Sequence, residues 1–143
     1  MASRICMEAK KMEKLERILH VDDDEDIRVL TKMALELVGH YEVEQFASGE
    51  DALQSAESFS PQLFLFDYMM PKMSGIELWR HLKAVPGLEG VPAIFVTAKS
   101  EQAFAEDLIE EGALSVIVKP FEISRLCEMI EDAWAKHQTA SQG

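Results

Sequence analysis

Leu63-Phe64-Leu65-Phe66 is apolar at every position, as a strand buried on both faces has to be. A strand of that kind needs covering layers above and below it, so this run constrains the fold more than any other feature. Similar short runs recur at Ile18-Leu19-His20-Val21, Ala93-Ile94-Phe95-Val96 and Val116-Ile117-Val118. Tyr41 to Phe46 instead alternates apolar and polar, the pattern of an edge or half-exposed strand.

Helical patterns fill the gaps. Ile27, Leu30, Ala34, Leu37 and Val38 keep helical spacing after the acidic cluster Asp22 to Asp26, and Gly39 reads as the C′ residue that stops this helix. Ser48 with Asp51 opens a second helix that ends near Phe59, where Ser60-Pro61 breaks it. Ser74 with Glu77 caps a third, which carries Ile76, Trp79 and Leu82 and gives way to Pro86-Gly87. Glu101 to Glu111 forms a fourth, closed by Gly112, and Ile123, Leu126, Ile130, Ala133 and Trp134 mark a fifth. Five β-α units in succession imply an α/β fold, a doubly wound five-stranded parallel sheet with right-handed crossovers. It is expected over residues 16–137. Residues 1–15 read as a flexible or loosely helical N-terminal extension, and residues 138–143 as a frayed polar tail.

A chain of 143 residues suits one domain. The 48% apolar and 28% charged residues are those of a soluble globular protein. Acidic residues outnumber basic ones 26 to 14, for a net charge of −12. That surface repels phosphate backbones and anionic lipid, so neither direct nucleic-acid binding nor membrane association is expected. Cys6 and Cys127 make no disulfide framework, and Met1 to Arg17 lack the apolar core of a signal peptide. A cytoplasmic protein is the expectation.

In an open parallel sheet, ligands bind beyond the carboxyl ends of the strands. The residues found there are Asp22 and Asp23 after the first strand, Asp67 after the third, Thr97 after the fourth and Lys119 after the fifth. Singly, each has a plain reading as a cap or a solvated charge. Together, three carboxylates, a hydroxyl and an ammonium share one sheet edge. Three clustered carboxylates cannot all stay ionised without a counter-charge. A hard divalent cation such as Mg²⁺ answers this, and with the Lys119 ammonium it neutralises the pocket. A neutral pocket admits a phosphoryl group, and one of the carboxylates can then act as nucleophile to form an acyl phosphate.

The motifs Val21-Asp22-Asp23, Asp67-Tyr68-Met69-Met70-Pro71 with Gly75, Val96-Thr97-Ala98 and Lys119-Pro120-Phe121 resemble those of response-regulator receiver domains, the CheY-like, flavodoxin-like (βα)5 group. The resemblance covers nearly everything from Ile18 onward. It implies a stand-alone receiver in two-component signal transduction, with Asp67 as phosphoacceptor. It implies that Asp22, Asp23, Asp67 and the Met69 backbone carbonyl hold Mg²⁺. Thr97 and Lys119 would each engage a phosphoryl oxygen, so that catalysis is positioning and charge stabilisation. The implied donor is a phosphohistidine on a sensor histidine kinase or phosphotransfer protein. Output would pass to a downstream protein target or by onward phosphotransfer, because no stretch is left over for a DNA-binding output domain. Such a chain assists its own phosphorylation and dephosphorylation without being a turnover enzyme. A cis Lys119–Pro120 peptide is implied as well. His20, His40, His81 and His137 show no catalytic or metal spacing and read as ordinary core or surface residues.

Val116 departs from the pattern, because receivers commonly carry an aromatic switch residue there. Valine has no large rotamer swing between buried and exposed states, so the expectation is that activation travels through the loop Ala98 to Glu101 and the fourth helix. Met69 and Lys99 would flank the approach of water to an acyl phosphate. Val116 also keeps open a second reading, a receiver-fold protein-binding module that is not phosphorylated. Two others are disfavoured. A flavin carrier would not place Asp22 to Asp26 at its phosphate cradle, and an aspartyl phosphatase of the haloacid-dehalogenase type would want an Asp where Met69 stands.

Overall fold

The structure, a computed structural model, describes residues 13–142. Most of the expected N-terminal extension, residues 1–12, lies outside the described residues. Five strands form, β1 (Arg17–Val21), β2 (Glu42–Phe46), β3 (Leu63–Asp67), β4 (Ala93–Ala98) and β5 (Ser115–Lys119). The main helices are α1 (Glu25–Met33), α2 (Gly49–Phe59), α3 (Gly75–Leu82), α4 (Ala105–Glu111) and α5 (Leu126–Gln142). All neighbouring strands pair in parallel, in the order β2-β1-β3-β4-β5. The doubly wound α/β sheet read from the sequence is therefore the observed fold. The wholly apolar run is β3 at the centre, buried at every position, and the alternating run is the edge strand β2.

Strand alternation sorts the core into two layers. Ile18, Leu65, Ile94 and Ile117 face Leu35, in the helical turn that continues α1 over Ala34–Val38, and Leu126, Ile130 and Trp134 of α5. Leu19, Phe64, Phe66 and Phe95 face α2, α3 and α4 through Ala52, Ala56, Leu78, Trp79 and Leu108. Phe64, Phe66 and Phe95 are wholly buried, which is worth about 1.5–3 kcal/mol for each ring relative to exposure. The same alternation carries Asp22, Asp67 and Lys119 to the α1/α5 side of the sheet edge. Thr97 and Val116 fall on the other side.

Four local expectations need correction. Helix α1 does not stop by glycine at a left-handed C′ position. It widens into a π turn over Ala34–Val38, and Gly39 has φ −85° while His40 takes the left-handed value of 58°. Glycine is needed at position 39 for space, because a Cβ there would run into the Tyr41 ring. The fourth helix begins as a tighter 3₁₀ segment, Lys99–Phe104, and becomes α-helical only at Ala105. The tail expected to fray from residue 138 is the last part of α5, and Gln138 is buried. Its side-chain oxygen accepts from the Glu13 N–H at 2.9 Å, and the Trp134 indole donates to the Glu13 carbonyl, also at 2.9 Å. Leu15 joins the core, so the packed unit begins before residue 16.

Candidate functional site

The carboxyl ends of β1, β3, β4 and β5 bring the expected residues to one edge. Strand order reverses between β1 and β3, which opens a crevice there. Asp22 follows β1 and Asp67 ends β3, and they are only 1% and 7% exposed. Asp23 stands in solvent at the rim. One oxygen from each of these three carboxylates lies within 4.8 Å of the other two. Lys119 ends β5 and reaches across, with Nζ 3.3 Å from Asp67 Oδ1 and 3.8 Å from Asp22 Oδ2. The Lys119–Pro120 peptide is cis.

Local structure fixes each group. The Asp22 N–H donates to the Phe46 carbonyl at 3.2 Å, and Asp22 Oδ1 accepts from the Asp24 N–H at 2.9 Å. Asp24 caps α1 by accepting from the N–H groups of Asp26 and Ile27, the usual duty of an acidic N-cap. Beyond Asp67, the Tyr68 N–H donates to the Val96 carbonyl and the Gly75 N–H donates to the Tyr68 carbonyl, both at 2.8 Å. Ser74 and Glu77 form a complete capping box at the start of α3. A side chain at position 75 would overlap the Asp67 carbonyl, so glycine lets α3 press against the end of β3.

Electrostatics follow from this crowding. Burial, and then the Asp22 charge, push the Asp67 carboxyl up to about 7 against the pull of Lys119. Burial likewise raises Asp22. Burial works to lower Lys119, but Asp22 and Asp67 outweigh it and hold the ammonium above its ordinary value. Thr97 sits one residue beyond Val96, the β4 partner of Asp67. It is fully buried, and its hydroxyl has no hydrogen-bond partner among the described residues. An unpaired buried hydroxyl costs roughly 1–3 kcal/mol. Three carboxylates offer the all-oxygen donors a hard divalent cation prefers.

The Met69 side chain is 58% exposed beside the crevice. Val116 is half-buried against the second core layer, in register with Phe95. Sequence reasoning missed an aromatic pair. Tyr68, directly after Asp67, has its ring centroid 5.6 Å from that of Phe104, at the end of the segment that follows Thr97. The tyrosine's place beside the acid was the available signal, but nothing local tied it to a residue so far along the chain.

The family profile described as "Response regulator receiver domain" matches residues 18–131. The chain belongs to that family. Relatives include the chemotaxis protein CheY of Bacillus subtilis (strain 168), 33% identical over 114 residues, covering 80% of this chain and 93% of that protein. Sporulation initiation phosphotransferase F of the same organism is 34% identical over 116 residues, with coverage of 81% and 91%. The phosphate regulon regulator PhoB of Rhizobium meliloti (strain 1021) is 34% identical over 117 residues, 82% of this chain but 51% of PhoB. The chain spans about half or less of the transcriptional regulators it matches. Among solved structures, a CheY-like receiver protein from Methanospirillum hungatei JF-1 superposes with a TM-score of 0.75 at 34% identity, covering 90% of this chain and 99% of that one. CheY4 of Vibrio cholerae does so with a TM-score of 0.75 at 27% identity, with coverage of 84% and 99%. Receiver domains are phosphoacceptors of two-component response regulators. Among the described residues of this receiver, no helix is long and apolar enough to cross a membrane.

Proposed function

We propose that Asp67 accepts a phosphoryl group from a phosphohistidine donor, and that the resulting acyl phosphate changes the contacts this receiver makes with other proteins. The observation that carries the reading is the convergence of Asp22, Asp23 and Asp67 with Lys119; the Thr97 hydroxyl, buried at the end of the neighbouring strand with no hydrogen-bond partner among the described residues, supports it. An Asp67 carboxylate oxygen attacks phosphorus as the P–N bond to the donor breaks. The electron pair stays with the departing imidazole nitrogen, which takes a proton from solvent. Lys119 neutralises one developing phosphoryl charge and the Thr97 hydroxyl donates to another oxygen. Mg²⁺ held by Asp22, Asp23, Asp67 and the Met69 carbonyl would supply the remaining charge compensation. The chain is then a transient phosphoacceptor in the cytoplasm, not an enzyme with free turnover.

The donor, on a sensor histidine kinase or phosphotransfer protein, needs a surface beside the crevice. Leu30 of α1 lines a cavity of about 220 Å³ with Pro120, Phe121 and Ile123, next to Lys119. Leu30, Met33 and Leu37 are about half exposed or more along this helix and its π turn. An apolar patch of this kind marks a protein contact. The downstream partner is a protein whose contact changes on phosphorylation, or a second phosphotransfer protein.

Intact-mass measurement after incubation with acetyl phosphate and Mg²⁺ tests the reading. A phosphoryl adduct is expected on the wild type and not on Asp67→Asn. An adduct that survives the substitution would place the chemistry elsewhere. No adduct with small donors or candidate kinases would favour the unphosphorylated module, which the valine at position 116 makes the second reading.

A further inference from the structure

The turn that carries Asp22 and Asp23 is braced from an unexpected quarter. Arg28, on the first turn of α1, donates from Nη1 to the main-chain carbonyl of Asp22 at 2.7 Å. Its own carbonyl accepts from Gln45 Nε2 at 2.8 Å, and the same amide nitrogen lies 2.9 Å from Nδ1 of the buried His20. A chain of bonds thus runs from β1 through β2 and α1 back to the acidic turn.

The position is electrostatically poor for an arginine. A cation opposes the positive end of a helix dipole, and it repels any metal ion held by the neighbouring acids. The guanidinium–carbonyl bond accounts for it. That carbonyl belongs to the peptide joining Asp22 to Asp23, so fixing its plane fixes the direction in which Asp23 leaves the backbone. The Asp23 carboxylate has no hydrogen bond of its own among the described residues, unlike Asp22, whose Oδ1 is held by the Asp24 N–H.

We propose that Arg28, braced by Gln45, is a positioning residue that aims the Asp23 carboxylate toward the shared cation site. The inference rests on the reading of this edge as a Mg²⁺-dependent phosphoacceptor site. Groups that orient metal ligands from behind are worth about 10–100-fold in affinity when removed.

The test is the Mg²⁺ dissociation constant of the full chain by calorimetry, with Mn²⁺ by electron paramagnetic resonance as a second probe. Arg28→Met keeps the aliphatic stem and removes the charge and its donors. Positioning predicts binding weaker by about tenfold. Arg28→Lys keeps a cationic donor and should recover part of the loss. A purely electrostatic arginine predicts the opposite sign, because its removal would tighten cation binding. Equal or tighter binding by Arg28→Met therefore overturns the inference. A role confined to helix stability would lower the metal-free unfolding midpoint and leave the dissociation constant alone, and that result also overturns it. Should Arg28→Met fail to fold, Gln45→Met takes its place, with weaker binding expected and unchanged binding counting against the proposal. A wild-type chain that binds no divalent cation sinks the underlying reading instead, which keeps the two failures distinct.

Discussion

Lys119 Nζ sits 3.3 Å from Asp67 Oδ1, yet the Asp67 carboxyl still stands at about 7. One ammonium does not offset burial and the Asp22 charge together. In metal-free protein, Asp67 therefore holds a proton that the unfolded chain releases near 3.8. Its contribution to stability is full below 3.8 and is lost as pH rises through 7. A cation must displace that proton to bind. The apparent Mg²⁺ affinity should fall about tenfold per pH unit below 7 and level off above it. Calorimetric titrations across this range check the slope, and an affinity independent of pH contradicts the assignment.

His20 works in the other direction. Burial, then Arg28 and Lys119, lower it from 6.5 to about 3, so the folded chain keeps it neutral while the unfolded chain charges it below 6.5. Its contribution is present above 6.5 and is lost as pH falls toward 3, at up to about 1.4 kcal/mol per pH unit. Denaturant unfolding in an Asp67→Asn background removes the opposing carboxyl. There, His20→Leu should flatten the acid limb of the stability curve, and an unchanged slope would rule His20 out as its source.

Gly75 is a steric requirement of the turn that follows Asp67. Gly75→Ala drives a methyl group into the Asp67 carbonyl, and the backbone that holds Asp67 has to shift. A loss of about 1–3 kcal/mol in stability is expected, together with slower adduct formation from acetyl phosphate. Unaltered stability and rate would show that α3 can slide away at no cost.

The five-fold alternation and the edge residues were legible because each depends on short-range pattern. Strand periodicity announced β3, and the positions just past each strand announced Asp22, Asp67, Thr97 and Lys119. What stayed hidden depends on contacts far apart in sequence. Gln138 looked like a polar tail because its partner, the Glu13 N–H, lies at the other end of the chain. Gly39 looked like a left-handed cap because composition does not reveal that Tyr41 folds back onto it. Arg28 carried no signal in the sequence because its acceptor is a backbone carbonyl, which leaves no trace in side-chain identity.

Thr97 offers a test in which stability and function move apart. Its buried hydroxyl has no partner among the described residues, so Thr97→Val removes an unsatisfied polar group at nearly constant shape. The unfolding free energy should stay level or rise by about 1 kcal/mol. The amide shifts that beryllofluoride, a phosphoryl mimic, induces beyond the Asp67 pocket should shrink in the same variant. A marked loss of stability would show that the hydroxyl is already bonded in the resting chain.

The last prediction concerns how the signal leaves the pocket. Val116 cannot swing as an aromatic side chain would, but the Tyr68 and Phe104 rings lie 5.6 Å apart and bridge the residue after Asp67 to the segment after Thr97. If Thr97 moves toward a phosphoryl oxygen, the segment Lys99–Phe104 moves with it, and the ring pair carries that motion to the start of α4. Phe104→Ala should cost about 0.5–1.5 kcal/mol from the lost pair and leave adduct formation on Asp67 intact. Its beryllofluoride-induced shifts over Ala105–Glu111 should fall to less than about half of those in the wild type. Full-sized shifts in α4 without the Phe104 ring would remove the pair from the route, and wild-type shifts confined to the Asp67 pocket would remove the route itself.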